Sequence, residues 1–587
     1  MDKTQKIIGF FILFAFLSYL AVLLFMVVGH RVQVEPGSLL RLEFDGNLVE
    51  QQQIPSLTEL IQHDPRKSST SLKDIIQSIE LASKDPNIKA IYLNTSNMSY
   101  ASLSKLQEIK RALQGFKDEG KKIFAAANYY SQSSYYLATS ADEIFLHPMG
   151  SISLHGFSVY QNYFKEALEK INVDVEIFRA GNFKSYAEPF SRTKMSDEAK
   201  EANTQWLKVL WKSYKEGIAT SRNIDESDLQ NILDHPAQYL KLHGGDFAKQ
   251  AISINLVDSL ADQSEVEDAI AHYIGDQYPS ITHHDYLLSF AKPEYQQPQA
   301  IAVIIASGSI QRESSNGQHI VAKKLIKQLK EAGDNEAVQA IVLRLDTPGG
   351  SALASELIRK EVERINKHTP IYISMSSLAA SGGYWISAAA TQVWASPTTL
   401  TGSIGVIGMM PNFHNSLKKI GINTDGIGTT RIAGAGRPDM PINAEMSRVF
   451  QMSVNHTYQK FINIVATGRQ LNPEYVSKVA QGRVWSGLDA KKLGLVDELG
   501  DFHDVVLAIA EQYIGKDSDY DLIYIEEKLD FQQQLAQQVL GNADSIIQVE
   551  QPFSWVEQAL QQYISSDLLN LLQDPQGIYS YCEITAP

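Results

Sequence analysis

The sequence predicts an α/β protein whose core unit occurs twice, behind one N-terminal membrane-spanning helix. Short apolar runs alternate with amphipathic helical ones, two long stretches share a register 249 positions apart, and a charge-free apolar run stands near the N-terminus. Alternation of this kind builds parallel βαβ units, because each helix returns the chain to the same end of the sheet and buries its apolar stripe on the way.

In the second copy AIAVIIA (300–306) reads as a buried strand, ALASELIRKEVERINK (352–367) as a helix, PIYISMS (370–376) as a strand, and GYWISAAA (383–390) as the start of another helix. The first copy follows the same order: LLRLEFDG (39–46), a helix from Ser71, AIYLN (90–94), a helix from Ala101, then KIFAAA (122–127). LASKDPNIKAIYLN (81–94) and LKEAGDNEAVQAIVLR (329–344) each end a helix, turn, and enter an apolar strand. Tyr135 and Tyr384, Pro148 and Pro397, and Gly156 and Gly405 all stand 249 positions apart. One register held across a helix, a strand and a turn points to a duplicated domain.

The expected organisation is an N-terminus and anchor at 1–30, a first domain at 31–193, a helical connecting region at 194–297, a second domain at 298–515 and a tail at 516–587. The connecting region contains an amphipathic helix at 204–222 and ends in a polar, proline-containing linker (289–299). The tail is glutamine-rich, with helical spacing and no recognisable chemistry.

Ile7 to Gly29 is 23 residues without a charge. As a helix it would be about 34 Å long, enough for the ~30 Å hydrocarbon core. Lys3 and Lys6 precede it, so the N-terminus is expected in the cytoplasm and the rest across a single span, although His30 and Arg31 follow it. A cleaved secretory signal is the alternative, but its apolar region is usually about 7–15 residues. The net charge of −15 repels phosphate backbones, which argues against nucleic acid as a partner. The single cysteine, Cys582, can close no internal disulfide.

Candidate chemistry gathers in three places. SLAASGGYW (377–385) puts Ser381 where a buried strand turns into a helix, the setting in which a serine Oγ is presented and backbone N–H groups are free. LDTPGGSA (345–352) ends the strand before it, and Gly350 (or Gly349) could aim an N–H beside that of Gly382. Such a pair would hold an oxyanion, each donor being worth about 2.7–4 kcal/mol in a transition state. The plainer readings are a helix entry and a tight turn. Activation needs a base. The histidines of the second copy (His319, His368, His414, His456 and His503) have no recognisable setting, and His283-His284 lacks metal-ligand spacing. No G-x-S-x-G, H-E-x-x-H, Walker A or C-x-x-C motif occurs. That leaves a lysine: Lys184 in FRAGNFKSYAEPFSR (178–192), set among Phe183, Tyr186 and Phe190. To act as a base near neutral pH it must fall from about 10.4 to roughly 7, at about 4.6 kcal/mol, which burial can supply. Most lysines are solvated instead.

NFKSYAEPF, DTPGGS, AASGGYW and TGSIGV, in this order behind an apolar anchor, resemble the long, duplicated form of the signal peptide peptidase A (protease IV) family, and the similarity covers nearly all of the chain after the anchor. The resemblance implies tandem Clp protease/crotonase-like ββα superhelix domains and a catalytic dyad of Ser381 and Lys184. It also implies that Ser403 orients the lysine, that the N–H groups of Gly350 and Gly382 are oxyanion donors, and that no metal or cofactor takes part. The implied substrates are signal peptides and other hydrophobic peptides at the bacterial inner membrane, with the catalytic part periplasmic and the chain a homotetramer. In the first copy, Gln132 and Leu154 stand where Ser381 and Ser403 stand in the second, and RIAGAGRPDMP (431–441) replaces the segment that carries Lys184. Each copy therefore holds half a site, and the halves must pack face to face. The alternatives are an inactive crotonase-like scaffold that binds membrane peptides or proteins, and an acyl-CoA enzyme, which would need neither the anchor nor Lys184.

Overall fold

The computed structural model describes residues 33–52, 69–290, 297–313, 319–516, 518–526 and 578–582. The apolar run 7–29 and most of the tail lie outside them. Among the described residues no helix is long and apolar enough to cross a membrane.

Two large sheets carry the two copies. In the first, Ser38–Val49, Ile88–Tyr100, Lys122–Tyr130 and Glu143–Ile152 run parallel side by side. In the second, Ala300–Ser307, Val338–Thr347, Ile371–Ala380 and Gln392–Ala395 do the same. The outer additions also recur. Ser259–Leu260 extends the first sheet beside Glu143–Ile152, as Glu498–Leu499 extends the second beside Gln392–Ala395. Ser280–Thr282 pairs with Ser38–Val49, as Asp521–Tyr524 pairs with Ala300–Ser307.

These strands are continuous apolar runs because helices cover both faces of a parallel sheet; every residue of Ile371–Ala380 is buried. Helix Leu72–Lys84 shows the local logic. Ser71 caps it by accepting from Asp74 N, and Leu72, Ile75, Ile79 and Ala82 form one buried stripe.

Residues 194–290 are mainly helical, and they complete the first copy. Helix Asp197–Arg222 buries Trp206, Leu210, Tyr214 and Ile218 in the first core, and strands 259–260 and 280–282 join the first sheet. The physical reason is the apolar stripe of the long helix, which must be covered and finds the open face of the first sheet.

The two copies share a core. Leu378, Ala380, Leu400 and Val484 of the second pack into the apolar cluster of the first. Strand Asp174–Ala180 of the first copy pairs antiparallel with Val406–Asn412 of the second over seven residues. A buried ionic cluster crosses the same junction. Arg344 meets Glu50 and Glu108, and Lys105 Nζ lies 2.7 Å from Asp346 Oδ2. A third, smaller sheet forms at the junction, in the order His319–Val321, Ser309–Gln311, Gly349–Ser351, Ile578–Tyr581, Val406–Asn412, Asp174–Ala180.

Candidate active site

Ser381 follows the last residue of strand Ile371–Ala380 and precedes the short helix Gly382–Ser387. Its backbone is held at φ 57, ψ −109, a conformation an L-residue seldom adopts. Ser381 N donates to Gly402 O at 2.8 Å, and Trp385 N donates to Ser381 O at 2.9 Å, so the strained turn is pinned from both sides.

Gly349 and Gly350 pass directly over this turn. Gly349 has φ +100, and a Cβ there would lie 2.6 Å from Gly382 N and 3.0 Å from Ser381 Cβ. Gly350 has φ +157, and a Cβ on it would meet Ile310 O at 2.1 Å. On the facing side, a Cβ on Gly382 would stand 3.2 Å from Gly350 N. Only glycines allow the two backbones to approach so closely.

Lys184 arrives from the other copy. Strand Asp174–Ala180 carries the chain to Gly181, whose carbonyl accepts from Lys184 N at 3.2 Å. The backbone at Gly482 packs flat against the lysine; a Cβ there would meet Lys184 Cβ at 2.7 Å. Lys184 is 2 % exposed. Its Nζ donates to Ser381 Oγ at 2.6 Å, to Ser403 Oγ at 3.0 Å and to Ser403 O at 3.1 Å. Each of these oxygens is uncharged. Burial therefore acts almost unopposed and lowers the Lys184 pKa to about 7, with nearby Cys582 pulling weakly the other way. Ser403 is itself buried and held at φ 49, with its N donating to Arg483 O at 2.7 Å.

All five residues singled out in the sequence thus meet at one point. Tyr186 and Phe190 pack nearby in an apolar cluster with Ile407 and Met409, whereas Phe183 lies under the Arg483 guanidinium, 4.7 Å from its ring centroid. In the first copy the equivalent turn is plugged: Gln132 Oε1 accepts from Gly156 N at 3.0 Å and His155 N at 3.2 Å. Sequence reasoning missed two features. Ser580, from the tail, places its Oγ 2.7 Å from Ser381 Oγ. The Arg344 cluster was also missed, though a lone arginine inside the apolar run AIVLRL was the signal for it.

A strained, buried serine whose oxygen meets a basic nitrogen is a recurring arrangement of serine peptidases, and comparison with known proteins places the chain in that class. The model of peptidase family S49 matches residues 115–273 and 363–514, together more than half of the chain. Protease 4 of Salmonella typhi is 37% identical over 531 residues, covering 88% of this chain and 84% of that protein. Protease 4 of Haemophilus influenzae is 37% identical over 538 residues, covering 89% and 86%. The chloroplastic serine protease SPPA of Arabidopsis thaliana is 29% identical, covering 76% and 66%. The chain belongs to peptidase family S49 and is a serine peptidase.

Proposed function

We propose that the chain is a membrane-anchored endopeptidase that degrades cleaved signal peptides and other hydrophobic peptides with a Ser381–Lys184 dyad. The observation that carries the dyad is the 2.6 Å contact between Lys184 Nζ and Ser381 Oγ, made by an amine stripped of water.

In this reading neutral Lys184 takes the Ser381 Oγ proton as Oγ bonds to the peptide carbonyl carbon. The N–H groups of Gly350 and Gly382 stabilise the oxyanion. The lysine ammonium, oriented by Ser403, then protonates the departing amine nitrogen as the C–N bond breaks. Water, deprotonated by Lys184, attacks the acyl-enzyme ester; the ester bond breaks and Ser381 Oγ regains its proton.

Ser381→Ala is expected to lower peptide turnover on the order of 10⁴-fold or more. Ser403→Ala, which leaves nucleophile and base in place, should lose about 10–100-fold, the worth of one hydrogen bond to a charged group. A fluorophosphonate probe should label Ser381. A chain that stays unlabelled even when residues 578–587, whose Ser580 covers Ser381, are removed would mean that it is the inactive scaffold; near-normal turnover by Ser381→Ala would mean that the nucleophile lies elsewhere.

The anchor at 7–29, the inner-membrane location with a periplasmic catalytic part, and a homotetramer belong to the same proposal. Pseudo-symmetry supports assembly. Asp174–Ala180 pairs with Val406–Asn412 within the chain, whereas the counterparts at the 249-residue offset, 423–429 and 157–163, form no strand with each other. Ile427 in the first and Tyr160 in the second are almost fully exposed. Pairing 423–429 of one chain with 157–163 of the next would join chains head to tail. The full chain should resist alkaline washing from membranes and run in detergent at four times 65.4 kDa; a washed-off protein or a monomer contradicts these parts.

A further inference from the structure

One wall of the Lys184 pocket is the turn 480–483 of the second copy. Its backbone is fitted directly to the segment that carries the lysine. A Cβ on Gly482 would lie 2.7 Å from both Lys184 N and Lys184 Cβ, and one on Gly181 would lie 2.7 Å from Gln481 O. Phe183 N donates to Gln481 O at 2.8 Å, and Ser403 N donates to Arg483 O at 2.7 Å. Where two backbones meet in this way no flexible side chain stands ready to fill a gap, so a small retreat of the turn opens the pocket.

The Arg483 side chain ties this turn to the first copy. It donates to Glu201 Oε1 and to Gln205 Oε1, each at 2.6 Å, on helix Asp197–Arg222. Its guanidinium carbon lies 4.7 Å from the Phe183 ring centroid and 4.5 Å from that of Trp485. Phe183, Glu201 and Gln205 belong to the first copy, whereas Trp485 sits on strand Val484–Ser486, paired with Leu400–Gly402 just before Ser403. The Glu201 carboxylate is 61 % exposed, and an ion pair so placed is worth little by itself. Arg483 Nε is buried without a hydrogen-bond partner, a cost that a lysine or methionine would not carry. What only arginine supplies here is a flat cation that lies against rings and a fork that meets two acceptors at once.

We propose that Arg483 is a positioning residue for the peptidase reaction: it clamps turn 480–483 onto the first copy and so keeps water away from the Lys184 amine. The proposal rests on the Ser381–Lys184 reading of the site. The titratable groups around Lys184 are Tyr186 and Glu188 on its own turn, Cys582 on the tail strand, and Arg483 with Glu201 on the side of Gly482. Burial dominates the amine's charge state, and Cys582 opposes it weakly. Any group that holds the wall shut therefore governs how far the amine is neutral at a given pH.

The test follows kcat/KM against pH in the full chain. The wild type should lose activity on the acid side with a midpoint at about pH 7. Arg483→Ala is expected to move that midpoint up by about one pH unit, which costs about fivefold at pH 7 and is recovered by about pH 9.5. Arg483→Lys keeps the charge and loses the fork and the flat face; it should move the midpoint the same way. Glu201→Ala with Gln205→Ala, which alters only the helix side and leaves the turn intact, should give a smaller shift of the same sign. A midpoint that stays at about pH 7 in all three chains, with activity unchanged or lowered equally at every pH, overturns the proposal. Denaturant midpoints read the same amine without catalysis. The pH-dependent stability difference between a chain and its Lys184→Met counterpart should set in near pH 8 in the Arg483→Ala background, about one unit above the wild type. Failure of the dyad reading is seen separately, as hydrolysis that survives Lys184→Met, and the denaturant series still decides whether Arg483 keeps the amine dry.

Discussion

Lys184→Met is expected to abolish peptide hydrolysis and, at the same time, to erase a rise in stability that the wild type shows between pH 7 and about pH 10. The amine is 2 % exposed, and burial brings its pKa down to about 7 in the folded chain. In the unfolded chain it returns to about 10.4. Between those values the unfolded state holds a proton that the folded state lacks, so folding releases it and stability increases with pH. The slope is up to about 1.4 kcal/mol per pH unit, and the full span is about 4–5 kcal/mol. Below pH 7 the penalty for burying the amine is present in full; above pH 10.4 it has vanished. The methionine variant has no proton to release, and every other titrating group is common to both chains. Denaturant midpoints of the pair at pH 7, 8, 9 and 10 isolate the effect. Activity of the wild type should climb through pH 7 for the same reason, since only the neutral amine can accept the Ser381 proton. A stability difference independent of pH would mean that Lys184 is charged in the fold and cannot be the base.

Arg344→Met should lower stability by about 3–5 kcal/mol and take activity down with it. Arg344 is buried and donates to Glu50 Oε2 at 2.9 Å, to Glu108 Oε1 at 2.6 Å and to Ser374 Oγ at 3.0 Å. Burial alone would raise the Glu50 pKa, but Arg344 and Lys105 outweigh it and hold that carboxyl at about 2. Glu108 goes up instead, because burial and the Glu50 charge exceed the pull of Arg344. Three acidic and two basic groups share this dry junction, and deleting the arginine strands two carboxylates beside one lysine. The loss reaches the site because the residues belong to opposite halves. Glu50, Lys105 and Glu108 come from the first copy; Arg344 and Asp346 lie on the strand leading to Gly349. Ser376, on the strand leading to Ser381, also bonds Glu50. Thermal denaturation and turnover should fall together. Replacing the carboxylates too, as Glu50→Gln with Glu108→Leu, should recover much of the stability, since a buried ionic cluster is worth little against a well-packed apolar one. If the single variant unfolds at the wild-type midpoint, the cluster does not hold the halves together.

Much of the site could be read in the sequence because each participant sits in a stretch whose local physics is already unusual. Ser381 lies between an unbroken apolar strand and a pair of glycines, and Gly349-Gly350 ends the neighbouring strand. Lys184 follows a strand-like run among aromatics. Strand and helix order was legible for the same reason: parallel strands covered on both faces are short apolar runs, and the helices between them are amphipathic. The role of 194–297 was less legible, since an amphipathic helix announces that it will be covered but not by which surface. The tail was opaque. The sequence YSYC in a glutamine-rich context carries no periodic signal, and strand pairing depends on an edge contributed by residues more than 200 positions earlier.

By itself the sequence determined the α/β class, the 249-residue register shared by its two halves and the residue types that a peptidase needs. The tertiary structure alone decided that an amine and a hydroxyl 197 positions apart meet at 2.6 Å, that burial pulls the amine's pKa down to about 7, and that the chain lays one of its own strands across Ser381. The division follows from range. Propensity and hydrophobic period act over a few residues and are written locally, whereas desolvation and the pairing of strand edges depend on what distant segments bring to the same place.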